Sequence, residues 1–211
     1  MDLADYRRDY LQGAIRRADL CESPVAQFET WFEQATDSGM VEPNAMVLST
    51  TSSAGQPSQR TVLLKTFDER GFVFYSNYES RKAREIAPNP QVSLLFPWIG
   101  LERQVIIQGR VEKISPDKSL RYFLSRPRES QLGAWVSQQS SVIENRAHLE
   151  TKLAEIKSKF AGLAVPLPPF WGGYRVRPTS IEFWQGGSGR LHDRFLYTRK
   201  EDEWLIERLS P

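Results

Sequence analysis

Four short segments carry residue types that could hold an anion or steer a reaction. Ser80-Arg81-Lys82 stands at an expected helix start, where free backbone N–H groups, the positive end of the helix dipole, a hydroxyl and two cations favour a phosphate. By itself the segment suits a capped, solvated surface helix at least as well. RTVLLK, Arg60 to Lys65, alternates as a strand, with Arg60, Val62 and Leu64 on one face and Thr61, Leu63 and Lys65 on the other. Its Lys65 either reaches into a polar cavity or snorkels at a strand end. Tyr122, Arg126 and Ser130 follow at i, i+4 and i+8, a spacing that would stack a phenol, a guanidinium and a hydroxyl along one helix face. Pro127 biases Arg126 away from helical geometry, so an ordinary helix end accounts for the three equally.

The fourth segment, IEFWQGGSGRLHDR from Ile181 to Arg194, is the most informative. A glycine-rich turn separates an aromatic strand from Arg190-Leu191-His192-Asp193-Arg194. Read as an extended strand, it places Arg190, His192 and Arg194 on one face and Leu191, Asp193 and Phe195 on the other. Two arginines flanking a histidine repel one another unless a carboxylate or an anionic ligand lies between them, which favours a functional reading over a solvated hairpin.

Other chemistries find little support. The only histidines, His148 and His192, lie far apart and outside any cluster of metal-ligand spacing, so no metal is expected. Neither GxxxxGK[ST] nor GxGxxG between strand and helix occurs, so phosphate binding would fall to side-chain cations. One cysteine, Cys21, cannot form an internal disulfide. The first twenty residues are too charged for a cleavable signal peptide, and no apolar run is long enough to span a bilayer. A cytoplasmic protein without membrane contact is expected. The net charge of +2 is too small to argue for nucleic acid.

The elements that must position these residues read as follows. An N-terminal arm, residues 1–20, precedes a single domain, 21–211. Ser23-Pro24 caps a helix carrying Val25, Phe28, Phe32 and Ala35, stopped at Gly39. Strands are expected at 45–51, 60–67, 72–76, 92–96, 103–114, 173–176, 181–185, 191–198 and 204–209. Helices are expected at 80–87, from Pro116 past Phe123, and at 143–160, the last with Leu149, Leu153, Ile156 and Phe160 on one stripe. The fold class is mainly β with inserted helices (α+β), an antiparallel barrel decorated by helices rather than a Rossmann sheet.

The segment Ile181–Arg194 resembles the signature of the pyridoxamine 5'-phosphate oxidase family. RTVLLK at 60–65, SRKAREIAPNPQVSLLFPW at 80–98, ERQVIIQG at 102–109, RPRESQLGAWVSQQS at 126–140 and PLPPFWGGYRV at 166–176 resemble it too, in order and over nearly the whole chain. The resemblance implies an antiparallel FMN-binding split barrel, a homodimer with FMN at the subunit interface. It implies oxidation of pyridoxine or pyridoxamine 5'-phosphate to pyridoxal 5'-phosphate by hydride transfer to FMN, with oxygen as acceptor. Residues implied at the flavin are Arg60, Thr61, Val62, Leu63, Leu64, Lys65, Tyr75, Ser76, Arg81, Lys82, Gln104, Gln139, Ser140, Trp184 and Arg194, with Arg81 and Lys82 at its phosphate. Lys65, Tyr122, Arg126 and Ser130 match the groups holding the substrate phosphate, and Arg190 and His192 those facing the pyridine ring. Arg7 and Tyr10 belong to a stretch that can fold over the active site, although Asp9 stands where the family commonly has Glu.

Two readings from other classes compete. A non-catalytic FMN- or haem-handling split barrel would keep the cofactor residues but lack the substrate set, all of which is present here. A nucleic-acid binder using Arg7, Arg8, Arg16 and Arg17 is weakened by the interspersed acids, and steep salt dependence would be its mark.

Overall fold

The computed structural model describes residues 1–3, 5–6 and 9–211. Nine antiparallel strands form one curled sheet in the order β2-β1-β5-β6-β7-β4-β3, with β8 on β7 and β9 on β8. The strands are β1 (Ala45–Thr51), β2 (Pro57–Leu63), β3 (Thr66–Asp68), β4 (Gly71–Asn77), β5 (Gln91–Trp98), β6 (Arg103–Lys113), β7 (Trp171–Gln185), β8 (Asp193–Lys200) and β9 (Glu203–Leu209). Among the described residues five α-helices decorate them: α1 (Pro24–Asp37), α2 (Arg81–Ile86), α3 (Pro116–Ser125), α4 (Arg128–Val136) and α5 (Arg146–Lys159).

The expected strand over 60–67 is two strands, and the break between them creates a seam. Through Leu63 the chain pairs with β1, and Leu64 N–H still bonds to the Asn44 carbonyl. One residue later the Lys65 N–H bonds to Val73 O on β4, so the chain changes partners and curls the sheet into a barrel. Leu64 turns into the core, and Lys65 is exposed on the other side.

Conversely, the two strands expected at 173–176 and 181–185 are one. β7 pairs with β4 through Val176 and with β8 from Ser180 onward, and β6 follows it past a bulge at Gln108/Gly109. Gly109 belongs there because a Cβ would stand 2.2 Å from the Arg177 carbonyl oxygen.

The core is aromatic. α1, capped by Ser23 Oγ accepting from the Val25 and Ala26 amides, lays Phe28, Trp31 and Ala35 on the sheet. Phe28 meets Phe67, Phe72 and Phe96 edge-on at about 5 Å. A smaller cluster of Phe123, Leu132, Phe160, Val165 and Trp171 lies under α3, α4 and α5. α5 buries no residue fully, and only Leu153 and Ile156 of its expected stripe pack inward before Phe160.

α4 was not expected. The helix carrying Tyr122 ends at Ser125, Arg126 is extended (φ −75°, ψ 147°), and Pro127 caps a new helix holding Ser130. The three residues therefore do not share one helix face, because the proline ring forbids the helical conformation of Arg126.

The strand-face expectation for Arg190, His192 and Arg194 is also corrected. Ser188–Arg190 form a 3-10 turn in which Gly189 and Arg190 take φ of +61° and +66°, and β8 starts only at Asp193. Leu191 N–H bonds to Ser188 O and His192 N–H to Arg190 O, so the glycine-rich turn extends past the point where its glycines end.

Candidate active site

A cleft of about 650 Å³ opens beside the seam. Thr61, Val62, Leu63 and Lys65 form one wall, and Tyr75, Ser76 and Asn77 of β4 the next. Lys82 enters from α2, and Tyr122, Arg126 and Ser130 enter from the α3–α4 break. Gln139 and Trp171 complete it. The break thus achieves by another route what one helix face was expected to do.

Two cations in this cleft are desolvated without a carboxylate partner among the described residues. Lys82 is 7% exposed, and its ammonium donates to Gln139 Oε1 (2.7 Å), Ser76 Oγ (3.1 Å) and Ser80 Oγ (3.5 Å), all neutral acceptors. Burial, helped by the charge of Arg60, lowers its pKa to about 8. Among the described residues Arg126 makes no side-chain hydrogen bond, and its Nη1 is the one buried side-chain nitrogen or oxygen left without a partner. Burial lowers its pKa as well, against the raising influence of Tyr122.

Ser80 has the capping role read from the sequence, its Oγ accepting from the Ala83 amide. Arg81 and Arg60, however, do not line the cleft. Both are held by Glu85: Arg81 Nε bonds to Oε1 at 2.9 Å, and Arg60 Nη2 lies 3.4 Å from Oε2. Arg60 also donates to Leu48 O and Thr50 Oγ1. Glu85 is buried, which would raise its pKa, but bonds from Ser58, Thr50 and Arg81 outweigh that and hold it at about 2. Its role was missed, although the i, i+4 spacing of Arg81 and Glu85 is visible in the sequence. Leu64 and Ser140 lie off the cleft, Leu64 in the core and Ser140 on an exposed loop at φ +74°. Asn77 was missed too; its amide bonds Ser137 O and fixes the loop that brings in Gln139.

The remaining expected residues form a second cluster elsewhere on the chain. Gln104 and Trp184 are cross-strand neighbours on β6 and β7, and with Tyr10 and Glu102 they line a separate cavity of about 240 Å³. The Tyr10 ring stands edge-on to Trp184 and to His192, at 5.8 and 5.5 Å. The arm is seated by two carboxylates: Glu102 accepts from the Leu11 and Gln12 amides, and Asp193 from the Ile15 amide. Gly186 admits Tyr10, because a Cβ there would stand 2.8 Å from its ring. Arg194 is paired with Glu182 at 2.8 Å. Arg190 is exposed. Arg7 lies outside the described residues.

Within one chain, then, Lys65, Tyr122, Arg126 and Ser130 share a cleft, and Arg190 and His192 stand apart from it. The strand order and the cleft define an antiparallel split barrel with a pocket lined by Lys65, Lys82 and Arg126.

Comparison with known proteins narrows this class. The family model described as Pyridoxamine 5'-phosphate oxidase matches residues 32–160, and that of the Pyridoxine 5'-phosphate oxidase C-terminal dimerisation region matches 171–211. A pyridoxine/pyridoxamine 5'-phosphate oxidase of Shewanella sp. (strain MR-7) is 57% identical over 210 residues, covering 100% of this chain and 99% of its own. Among solved structures, PhzG from Burkholderia lata 383, in complex with tetrahydrophenazine-1-carboxylic acid, superposes with TM-score 0.87 at 30% identity, over 92% of this chain and 95% of its own. A pyridoxamine 5'-phosphate oxidase-related, FMN binding protein from Nostoc punctiforme shares the fold, with TM-score 0.72 at 17% identity over 90% of this chain and 98% of its own. The chain belongs to the pyridoxamine 5'-phosphate oxidase family. It carries the family's dimerisation region.

Proposed function

We propose that this chain oxidises pyridoxine 5'-phosphate and pyridoxamine 5'-phosphate to pyridoxal 5'-phosphate in the cytoplasm, as a homodimer, with oxygen as final acceptor. The observation that carries the reading is the pair of desolvated, carboxylate-free cations in one cleft, Lys82 and Arg126. A cation buried without a counter-charge is costly, and an anionic ligand is what relieves it. Two such groups suit two phosphates, one from FMN and one from substrate.

Lys82, with Ser76 and Gln139 around its ammonium, would hold the FMN phosphate. Arg81 and Arg60, ordered by Glu85, stand behind it as fixed charge. Lys65, Tyr122, Arg126 and Ser130 would take the substrate phosphate. With FMN bound, the flavin would supply the redox chemistry, accepting a hydride from the substrate carbon and passing the electrons to oxygen as hydrogen peroxide. The alcohol would also lose its hydroxyl proton, and the amine would give an imine that water hydrolyses to aldehyde and ammonia. The protein's part is orientation and charge. Gln104, Trp184, Arg190, His192, Arg194 and the arm with Tyr10 and Arg7 would come to that cleft from the partner subunit. The presence of Arg126, Tyr122 and Ser130 in the cleft favours the oxidase over a non-catalytic cofactor carrier.

The purified protein tests this directly. It should be yellow, release FMN on heating, lose its flavin absorbance with pyridoxine 5'-phosphate under anaerobic conditions, and form peroxide when air is admitted. A flavin that stays oxidised under phosphorylated substrate would sink the reading.

A further inference from the structure

Trp171 belongs to the cleft wall but has no role in the reading above. Its surroundings are those of a fixed platform. The ring is 8% exposed and lies parallel to Tyr75 (5.4 Å, 13°) and to Tyr122 (6.2 Å, 5°), with Phe123 edge-on at 5.4 Å. Its backbone is held as firmly. Trp171 N–H bonds to Pro168 O, and the next two residues are glycines in tight quarters. A Cβ on Gly172 would stand 2.2 Å from the Tyr78 hydroxyl, and one on Gly173 would stand 2.4 Å from Ile114 and 2.9 Å from Tyr75. Ser119 Oγ accepts the Gly173 N–H, and the Tyr78 hydroxyl donates to Gly173 O. The start of β7 is therefore locked between α3 and β4.

Over this ring lies Arg126, its guanidinium carbon 4.8 Å from the ring centroid, with Phe123 at 5.8 Å. Arg126 has no hydrogen bond from its side chain and no carboxylate partner among the described residues. A long side chain on a helix break, lacking any polar tether, would otherwise sample many rotamers. The π face is the contact that both orients the guanidinium and offsets part of its desolvation. It does so without using any N–H donor, and all five remain for a ligand.

We propose that Trp171 is a positioning residue for the substrate phosphate, acting through Arg126 by holding its guanidinium flat and undischarged in the cleft. This rests on the reading of Arg126 as a substrate-phosphate ligand. A carboxylate in the same place would also order Arg126, but it would compete with the substrate; an aromatic ring orders without competing. Trp171 is thus an affinity device, felt in the binding of phosphorylated substrate more than in the chemical step.

The test compares Trp171→Leu, Trp171→Phe, Arg126→Ala and the two double variants as flavin-loaded dimers. For each, KM and kcat with pyridoxine 5'-phosphate are measured, together with competitive inhibition by inorganic phosphate. Trp171→Leu should raise KM, and the inhibition constant of phosphate, by roughly tenfold, with a much smaller change in kcat. Trp171→Phe, which keeps a ring, should recover most of this. In the Arg126→Ala background the same Trp171 changes should cost almost nothing further. Should Trp171→Leu not fold with flavin, the Trp171→Phe pair with and without Arg126→Ala carries the same comparison. A loss that falls on kcat, or that persists in full when Arg126 is absent, overturns the proposal. An unmodified enzyme that ignores inorganic phosphate overturns the phosphate reading itself, a separate outcome.

Discussion

Gly187 donates its backbone N–H to Nδ1 of His192 at 3.1 Å, and this one bond assigns the imidazole tautomer. An Nδ1 that accepts carries no proton, so the neutral ring bears its hydrogen on Nε2. The side of His192 turned away from the glycine turn is therefore a donor. Gly187 can approach so closely because it lacks a Cβ, which would stand 2.2 Å from Leu191 O.

His192 should accordingly act as a hydrogen-bond donor that orients substrate, not as a base. Long-range nitrogen–proton NMR of the imidazole should show the Nε2–H form. In stopped-flow flavin reduction, His192→Gln, which keeps a donor near the Nε2 position, should lose less than His192→Leu, whose deficit should reach about tenfold for one neutral hydrogen bond. Finding the Nδ1–H form, or equal rates for both variants, would refute the assignment.

As the proposed ligand of the FMN phosphate, Lys82 should make FMN binding pH-dependent. In the flavin-free protein its pKa is lowered to about 8 by burial and by Arg60, so above that pH the amine is mostly neutral. A phosphate dianion requires the ammonium, so binding there must draw a proton from solvent. FMN affinity should be level between about pH 7 and 8, where the phosphate is a dianion and Lys82 an ammonium, and fall by up to about tenfold per pH unit above that. Calorimetry at pH 9 in buffers of different ionisation enthalpy should register the uptake of one proton. Lys82→Met should bind FMN more weakly at neutral pH and show neither the slope nor the uptake.

Glu85 is the complementary case. Its folded pKa of about 2 lies below the ordinary carboxylate value of 4.5. The stabilisation is therefore complete above about pH 4.5 and is lost as the pH falls toward 2. Glu85→Gln leaves Arg60 and Arg81 without their counter-charge and should cost about 2–4 kcal/mol at pH 7. Denaturant titrations should show that gap narrowing as the pH is lowered from 4.5 toward 2. A gap independent of pH would mean that the carboxylate is not what holds the two arginines.

Much of this was legible in the residues themselves. β1 and α1 fall where alternation and the Ser23-Pro24 cap place them, because both rest on local signals that tertiary contacts do not override. The seam at Leu64–Lys65 was not visible, since a change of hydrogen-bond partner between β1 and β4 is a property of the closed sheet and not of the segment. The turn at Gly189-Arg190 misled for a related reason. Its glycines announced a turn, but the left-handed conformation of Arg190 continues it beyond them. The separation of Arg190 and His192 from the Arg126 cleft could not be read at all, because spacing along a chain does not say which distant segments share a pocket.

Arg126 yields the prediction that best separates a ligand-binding residue from a structural one. Removing a structural buried arginine leaves its acceptors unpaired and destabilises the fold. Arg126 has no such acceptors: its guanidinium lies over Trp171 with Nη1 unpartnered, and burial disfavours its charge. Arg126→Ala removes a desolvated cation and forfeits only stacking, so the flavin-loaded protein should melt within a few degrees of the parent, or slightly above it. Function should move the other way. Losing a charge-assisted contact to the substrate phosphate, worth about 2–3 kcal/mol, should lower kcat/KM by tens- to hundredfold while FMN stays bound. Thermal melts and steady-state kinetics on the same preparation check both halves. A large drop in melting temperature with kcat/KM intact would make Arg126 a structural residue and leave the cleft without its substrate-phosphate site.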